Sequence, residues 1–196
     1  FIFLSELKLT HLKDFNSNNY KFLRNIYDNF NVEECKKIKA IEQTTNHDVK
    51  AVEYYIQGKF DELNLSKYKS YIHFALTSQD INTTSVMLSL KETTQQVMIP
   101  QIENILTKLT ELADKWKYTK ILSLTHGQPA TLSTMGQQLK VFASRLSSQL
   151  IKLKNYEYRT KLGGAVGNLN AHYQAFPNIN WNYVLDNFVY TQFDIT

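Results

Sequence analysis

Apolar residues recur at alternating four- and three-residue steps through Met98, Ile102, Ile105, Leu109, Leu112 and Trp116. That spacing predicts a long helix over 86–117 with a heptad-like seam. A second stripe, Met135, Leu139, Phe142, Leu146, Leu150, Leu153 and Tyr156, predicts a helix from about 134 to 160, with Thr134 and Gln137 placed as a capping box. Earlier in the chain, Asn31 followed by Glu34 offers an N-cap and an acidic third residue for a helix running through Ile38 and Ile41. A shorter helix is expected from Asp48 to Gly58. No segment sustains period-two alternation with β-branched residues, so no sheet is expected. The fold class that results is all-α.

Breakers locate the joints. The chain holds three prolines and six glycines, and three of the glycines fall within 163–167, which leaves room for long helices elsewhere. Residues 58–70 are polar and turn-rich. They divide a small N-terminal helical domain, 1–65, from the first part of a long-helix bundle domain, 66–196. A seam of two apolar residues per heptad buries itself only against other helices, and one subunit of 196 residues supplies few of them. Oligomerisation is therefore expected.

Composition adds exclusions. Hydrophobic residues make up 43% of the chain and charged residues 20%, the balance of a globular protein. The net charge of +4 suits anionic ligands, but Lys and Arg alternate with acids instead of clustering, so nucleic acid is not indicated. Cys35 stands alone, which leaves no internal disulfide and fits a reducing, cytoplasmic location. No apolar run reaches the length of a membrane span, and Glu6, Lys8, Lys13 and Asp14 interrupt the N-terminal one. The chain starts on Phe1 and stops at Thr196 without a capping signal, so both ends are expected to be cuts.

Three polar stretches each precede an expected helix: Asn46-His47-Asp48, Thr77-Ser78-Gln79-Asp80 and Thr125-His126-Gly127-Gln128-Pro129. Helix N-termini attract phosphate and carboxylate through unpaired N–H groups and the macrodipole. Asp48, Ser78 and Asp80 are equally good N-caps, so capping and anion binding both remain open for each stretch. His126, between Thr125 and Gly127, belongs to an irregular segment, and imidazole exchanges a proton near neutral pH as an elimination requires at its leaving group. His11, His73 and His172 read as structural or surface residues. The histidines are too dispersed for a metal site. Gly163-Gly164-Ala165-Val166-Gly167-Asn168 lacks the strand–helix setting of a dinucleotide loop and reads as a place for left-handed turns or close backbone approach.

TTNHDVKAVEYYI (44–56), HFALTSQDIN (73–82), LSLTHGQPATLSTMG (122–136) and GGAVGNLNAHYQAFP (163–177) resemble the adenylosuccinate lyases of the fumarase/aspartase superfamily in content, order and spacing. The resemblance implies β-elimination: adenylosuccinate gives AMP and fumarate, and the succinylated aminoimidazole carboxamide ribonucleotide gives its amide and fumarate. It implies no cofactor and no metal. By the same carry-over His126 is the general acid that protonates the departing amine, and Thr77 and Ser78 hold a succinyl carboxylate. Asn46, His47, Asp48 and Thr125 are carried over as further substrate contacts. The resemblance also implies a homotetramer built on a bundle of long helices, with active sites shared between subunits.

The sequence departs from that family in what it omits. The family's basic serine, in a loop resembling Ser-Ser-x-Met-Pro-x-Lys-x-Asn-Pro, would lie beyond Thr196, and an Arg-Tyr pair for the nucleotide would precede Phe1. The segment alone is expected to be inactive. Two alternatives stand beside this reading: another lyase of the superfamily, such as argininosuccinate lyase, and a catalytically silent helical scaffold.

Overall fold

The computed structural model describes residues 1–195 and is mostly helical. The chain forms two compact units, one from Phe1–Ser85 together with the residues from Thr160 onward, the other Val86–Arg159. The division therefore falls after Ser85 and again after Arg159, whereas the polar stretch pointed to about 65. Residues 58–70 do not separate the units because Phe60, Leu65, Tyr68 and Tyr71 turn inward and are buried in the core of the first.

That core forms around Trp181, Phe60 and Leu12, with Leu9, Phe15, Leu23, Leu169 and Leu185 beside them. Helices α1 (Ile2–Glu6), α2 (Tyr20–Asp28), α3 (Val32–Thr45) and α4 (Asp48–Glu62) precede the core turn at 66–71. Asn31 caps α3, its Oδ1 accepting from the N–H groups of Glu33 and Glu34. Helix α4 runs through Gly58 to Glu62, four residues past the expected stop. A lone glycine costs a helix only about 1 kcal/mol, and buried Phe60 lies on the far side of it. Helices α8 (Asn170–Ala175) and α9 (Trp181–Phe193) return to the same core.

Helix α5 (Ser78–Thr93) starts in the first unit, and a π-helical stretch, Thr94–Met98, joins it to α6 (Ile99–Lys115). Pro100 explains the interruption. It carries no N–H and its ring crowds the carbonyl four residues back, so the ladder widens just before it. The expected single helix over 86–117 is thus α5, a π turn and α6. In the second unit α6 packs along α7 (Met135–Lys154), which Thr134 caps by accepting the Gln137 N–H at 3.1 Å. Gly136 makes the approach possible: a Cβ there would lie 2.3 Å from the Ala113 carbonyl oxygen and 2.7 Å from Lys117 Cα.

The sequence reading missed one element. Strands β1 (Lys120–Thr125) and β2 (Gln128–Thr134) form an antiparallel hairpin with a register irregularity between Leu122 and Leu124. Its two-residue turn is His126-Gly127, both left-handed, at φ 50° and 74°, the geometry whose twist matches paired strands. Pro129 is tolerated because a two-stranded ribbon needs ladder N–H groups on one side only. The Thr125–Pro129 stretch is therefore a hairpin tip and not a helix start. The class remains all-α apart from this ribbon.

Candidate active site

Asn46 and His47 form the whole connection between α3 and α4. Asn46 ends α3 in the left-handed region, φ 53°, with its N–H on the Glu42 carbonyl; asparagine enters that region at lower cost than most residues. His47 then turns extended and caps α4 in place of the expected Asp48: its Nδ1 accepts the Lys50 N–H at 3.2 Å. Asp48 is the first helical residue, exposed, with Oδ1 on the Val49 N–H at 2.7 Å. A carboxylate there complements the helix dipole.

The capping bond decides the state of the imidazole. Because Nδ1 accepts, the ring proton sits on Nε2. His47 Nε2 lies 3.2 Å from Ser78 Oγ, so the ring N–H donates to the serine oxygen and leaves the serine proton free for an external acceptor. Two stretches 31 residues apart thus meet, as a substrate cluster requires.

Thr77 and Ser78 open α5, and Asp80 fixes them. Its carboxylate is fully buried and accepts from Thr77 N–H at 2.9 Å, Gly163 N–H at 3.1 Å and Gly164 N–H at 3.0 Å, with Lys161 Nζ at 3.1 Å. Burial alone would raise its pKa, but the Thr77 N–H, Lys161 and the Gly163 N–H together hold it below the ordinary carboxylate range. By residue type and position alone, Asp80 is a possible N-cap. Its signal in the sequence was its place three residues after Thr77, where an acid reaches back to the cap N–H; nothing local disclosed the distant glycines.

Thr125 and His126 belong to the second unit. Both are exposed, at the end of β1 and at the hairpin tip. The imidazole at 126 is exposed on a two-residue left-handed turn. The other histidines have structural settings. His11 Nδ1 meets the Tyr71 hydroxyl at 2.8 Å. His172 is buried against Phe74 and Trp181, its Nδ1 without a hydrogen-bond partner, and burial lowers its pKa although Asp80 pulls the other way. His73 is half-buried.

The comparisons with known proteins place this helical fold in a class. A family profile described as Lyase matches residues 5–182, and the chain belongs to that family. Within it, similar curated proteins include adenylosuccinate lyases. That of Dictyostelium discoideum is 46% identical over 195 residues, covering 95% of this chain and 42% of the relative. That of Haemophilus influenzae is 42% identical, covering 94% and 41%, and that of Escherichia coli strain K12 41% identical, covering 86% and 37%. The chain thus spans about two fifths of the length of these relatives. A solved structure of a fumarate lyase from Mesorhizobium sp. BNC1 superposes over 98% of this chain and 43% of its own, with TM-score 0.75 at 16% identity, which supports the fold. Among the described residues no helix is long and apolar enough to cross a membrane.

Proposed function

We propose that the protein to which this chain belongs is an adenylosuccinate lyase of purine biosynthesis. It cleaves adenylosuccinate to AMP and fumarate, and the succinylated aminoimidazole carboxamide ribonucleotide to its amide and fumarate. The observation that carries the reading is the His47–Ser78 hydrogen bond, which unites two stretches of the family resemblance in one cluster of donors.

In the proposed reaction a base removes a proton from the succinyl carbon beside a carboxylate, the C–N bond breaks as the double bond of fumarate forms, and His126 gives a proton to the departing nucleotide amine. Negative charge grows on the carboxylate as the carbanion develops. Thr77 and Ser78 meet it with hydroxyls, the Ser78 proton being free because His47 donates to its oxygen. Preorganised donors of this kind are worth roughly 3–4 kcal/mol each in the transition state. Asn46, Asp48 and Thr125 complete the proposed substrate contacts. The chemistry is proton transfer and electrostatics, with no cofactor in the reading.

The assembly proposed is a cytoplasmic homotetramer with active sites shared between subunits. What supports it is exposed apolar surface: Leu122, Leu124 and Leu132 on the hairpin are more than half exposed, as are Ile105 on α6 and Phe142 and Ile151 on α7. Isolated two-stranded ribbons are at best marginal in water, and apolar patches of this kind mark interfaces. Offering adenylosuccinate, argininosuccinate, aspartate and malate to the full-length protein tests the assignment. Fumarate from adenylosuccinate with little from the others is expected; preference for another substrate would move the protein within the superfamily, and turnover of none would leave a scaffold.

A further inference from the structure

We propose that Asp80 is a positioning residue, one that locks Thr77, Ser78 and the glycine loop at 163–164 into a single frame so that the two hydroxyls face the substrate carboxylate. The inference rests on the elimination proposed above. An N-cap alone would not call for this arrangement. A cap can sit at the surface, where water supplies the remaining hydrogen bonds, whereas Asp80 is fully buried, and a buried carboxylate is costly unless every lone pair is met.

Here the donors come from two distant parts of the chain. Thr77 supplies one N–H, and Gly163 and Gly164 supply two more, 83 and 84 residues further on. Lys161 adds its ammonium and also donates to the Gly164 carbonyl at 3.2 Å. Gly164 takes φ 73° in this loop, a backbone conformation that L side chains rarely adopt. A second tie, Thr84 Oγ1 to Thr160 Oγ1 at 2.9 Å, fastens the same two segments one helical turn along α5. The Thr77 backbone, and with it the start of α5, therefore cannot recede from the glycine loop without breaking the Asp80 bonds. Hydroxyls that must meet charge appearing only in the transition state gain most from such rigidity, since no reorganisation is then needed as the charge appears.

The test is a double-mutant cycle on the full-length enzyme, read as fumarate release from adenylosuccinate. Asp80→Asn places an amide NH2 among N–H donors and is expected to lower kcat/KM about tenfold or more, chiefly through kcat. In a Thr77→Val background the same change should cost less than about threefold, because the group it positions has gone. Wild-type kinetics for Asp80→Asn, or an equal loss in both backgrounds, would overturn the proposal, the second by marking general structural damage. If Asp80→Asn does not fold, Lys161→Met takes its place. It keeps the three backbone bonds, and a smaller loss that again disappears beside Thr77→Val is expected; no loss, or an additive one, overturns the proposal. Normal turnover by both Thr77→Val and Ser78→Ala would instead sink the carboxylate reading on which the proposal rests.

Discussion

Tyr55 donates its hydroxyl to Glu34 at 2.5 Å, linking the middle of α4 to the first turn of α3, the end of that helix away from the His47 corner. Burial and the neighbouring carboxylate push the phenol up to about 12, while Lys37 and the Tyr55 hydroxyl hold Glu34 down at about 2. The signs follow directly. A phenol raised on folding contributes stability that is complete below its unfolded value of about 10 and lost as pH rises through about 12; the depressed carboxylate contributes above about 4 and loses its share as pH falls through about 2. Ultraviolet titration should therefore show tyrosines ionising later than ordinary phenols, Tyr55 and the buried Tyr71 among them, and Tyr55→Phe should remove one phenol from that late step. A late step of undiminished amplitude in the variant would refute the linkage.

Other residues show what a sequence can and cannot disclose. The Asn31 cap was legible because all its partners lie within three residues, and so was Thr134. Asp80 was not, because the donors that explain its burial lie more than eighty residues away. The capping of α4 by His47 was hidden for a different reason. Asp48 is the better cap by residue type, and only the left-handed turn at Asn46 brings the imidazole to the Lys50 N–H.

At the scale of elements the heptad-like stripes marked α6 and α7, since their period depends on local geometry alone, although α7 stops at Lys154 and not near 160. The hairpin is hard to discern in the sequence because its alternation is short and its turn, His126-Gly127, has residue types that equally suit an irregular loop. Alternation is present in Leu122-Ser123-Leu124-Thr125, but four residues with no second sheet beneath them give a weak signal. The element scale also carries a firm prediction. Gly136 lets the start of α7 lie against the end of α6, and a methyl group there would strike the Ala113 carbonyl oxygen and the Lys117 backbone. Backbone yields less readily than side chains, so Gly136→Ala should destabilise the protein by about 1–3 kcal/mol or more, seen as a lower denaturation midpoint. An unchanged midpoint would mean that the helices pack differently.

For the whole molecule, the segment spans 42% of a curated relative, and the proposed activity is that of the full-length protein. The proposed carboxylate donors and acid belong to the segment, whereas the family resemblance implies a basic serine outside it. The 196-residue chain alone should release no sustained fumarate from adenylosuccinate, and the full-length protein should run as a tetramer in light scattering. Sustained turnover by the isolated segment would show that the base lies within it, and a monomeric full-length enzyme would remove the shared active site.

The central claim is that His126, exposed on its hairpin turn, protonates the leaving amine. Steady-state kinetics of His126→Ala in the full-length enzyme tests it most directly. Loss of a general acid predicts a fall in kcat of about 10²–10⁴-fold with KM for adenylosuccinate changed little, because the acid acts in the transition state. A kcat close to wild type would contradict the account and remove His126 from the mechanism.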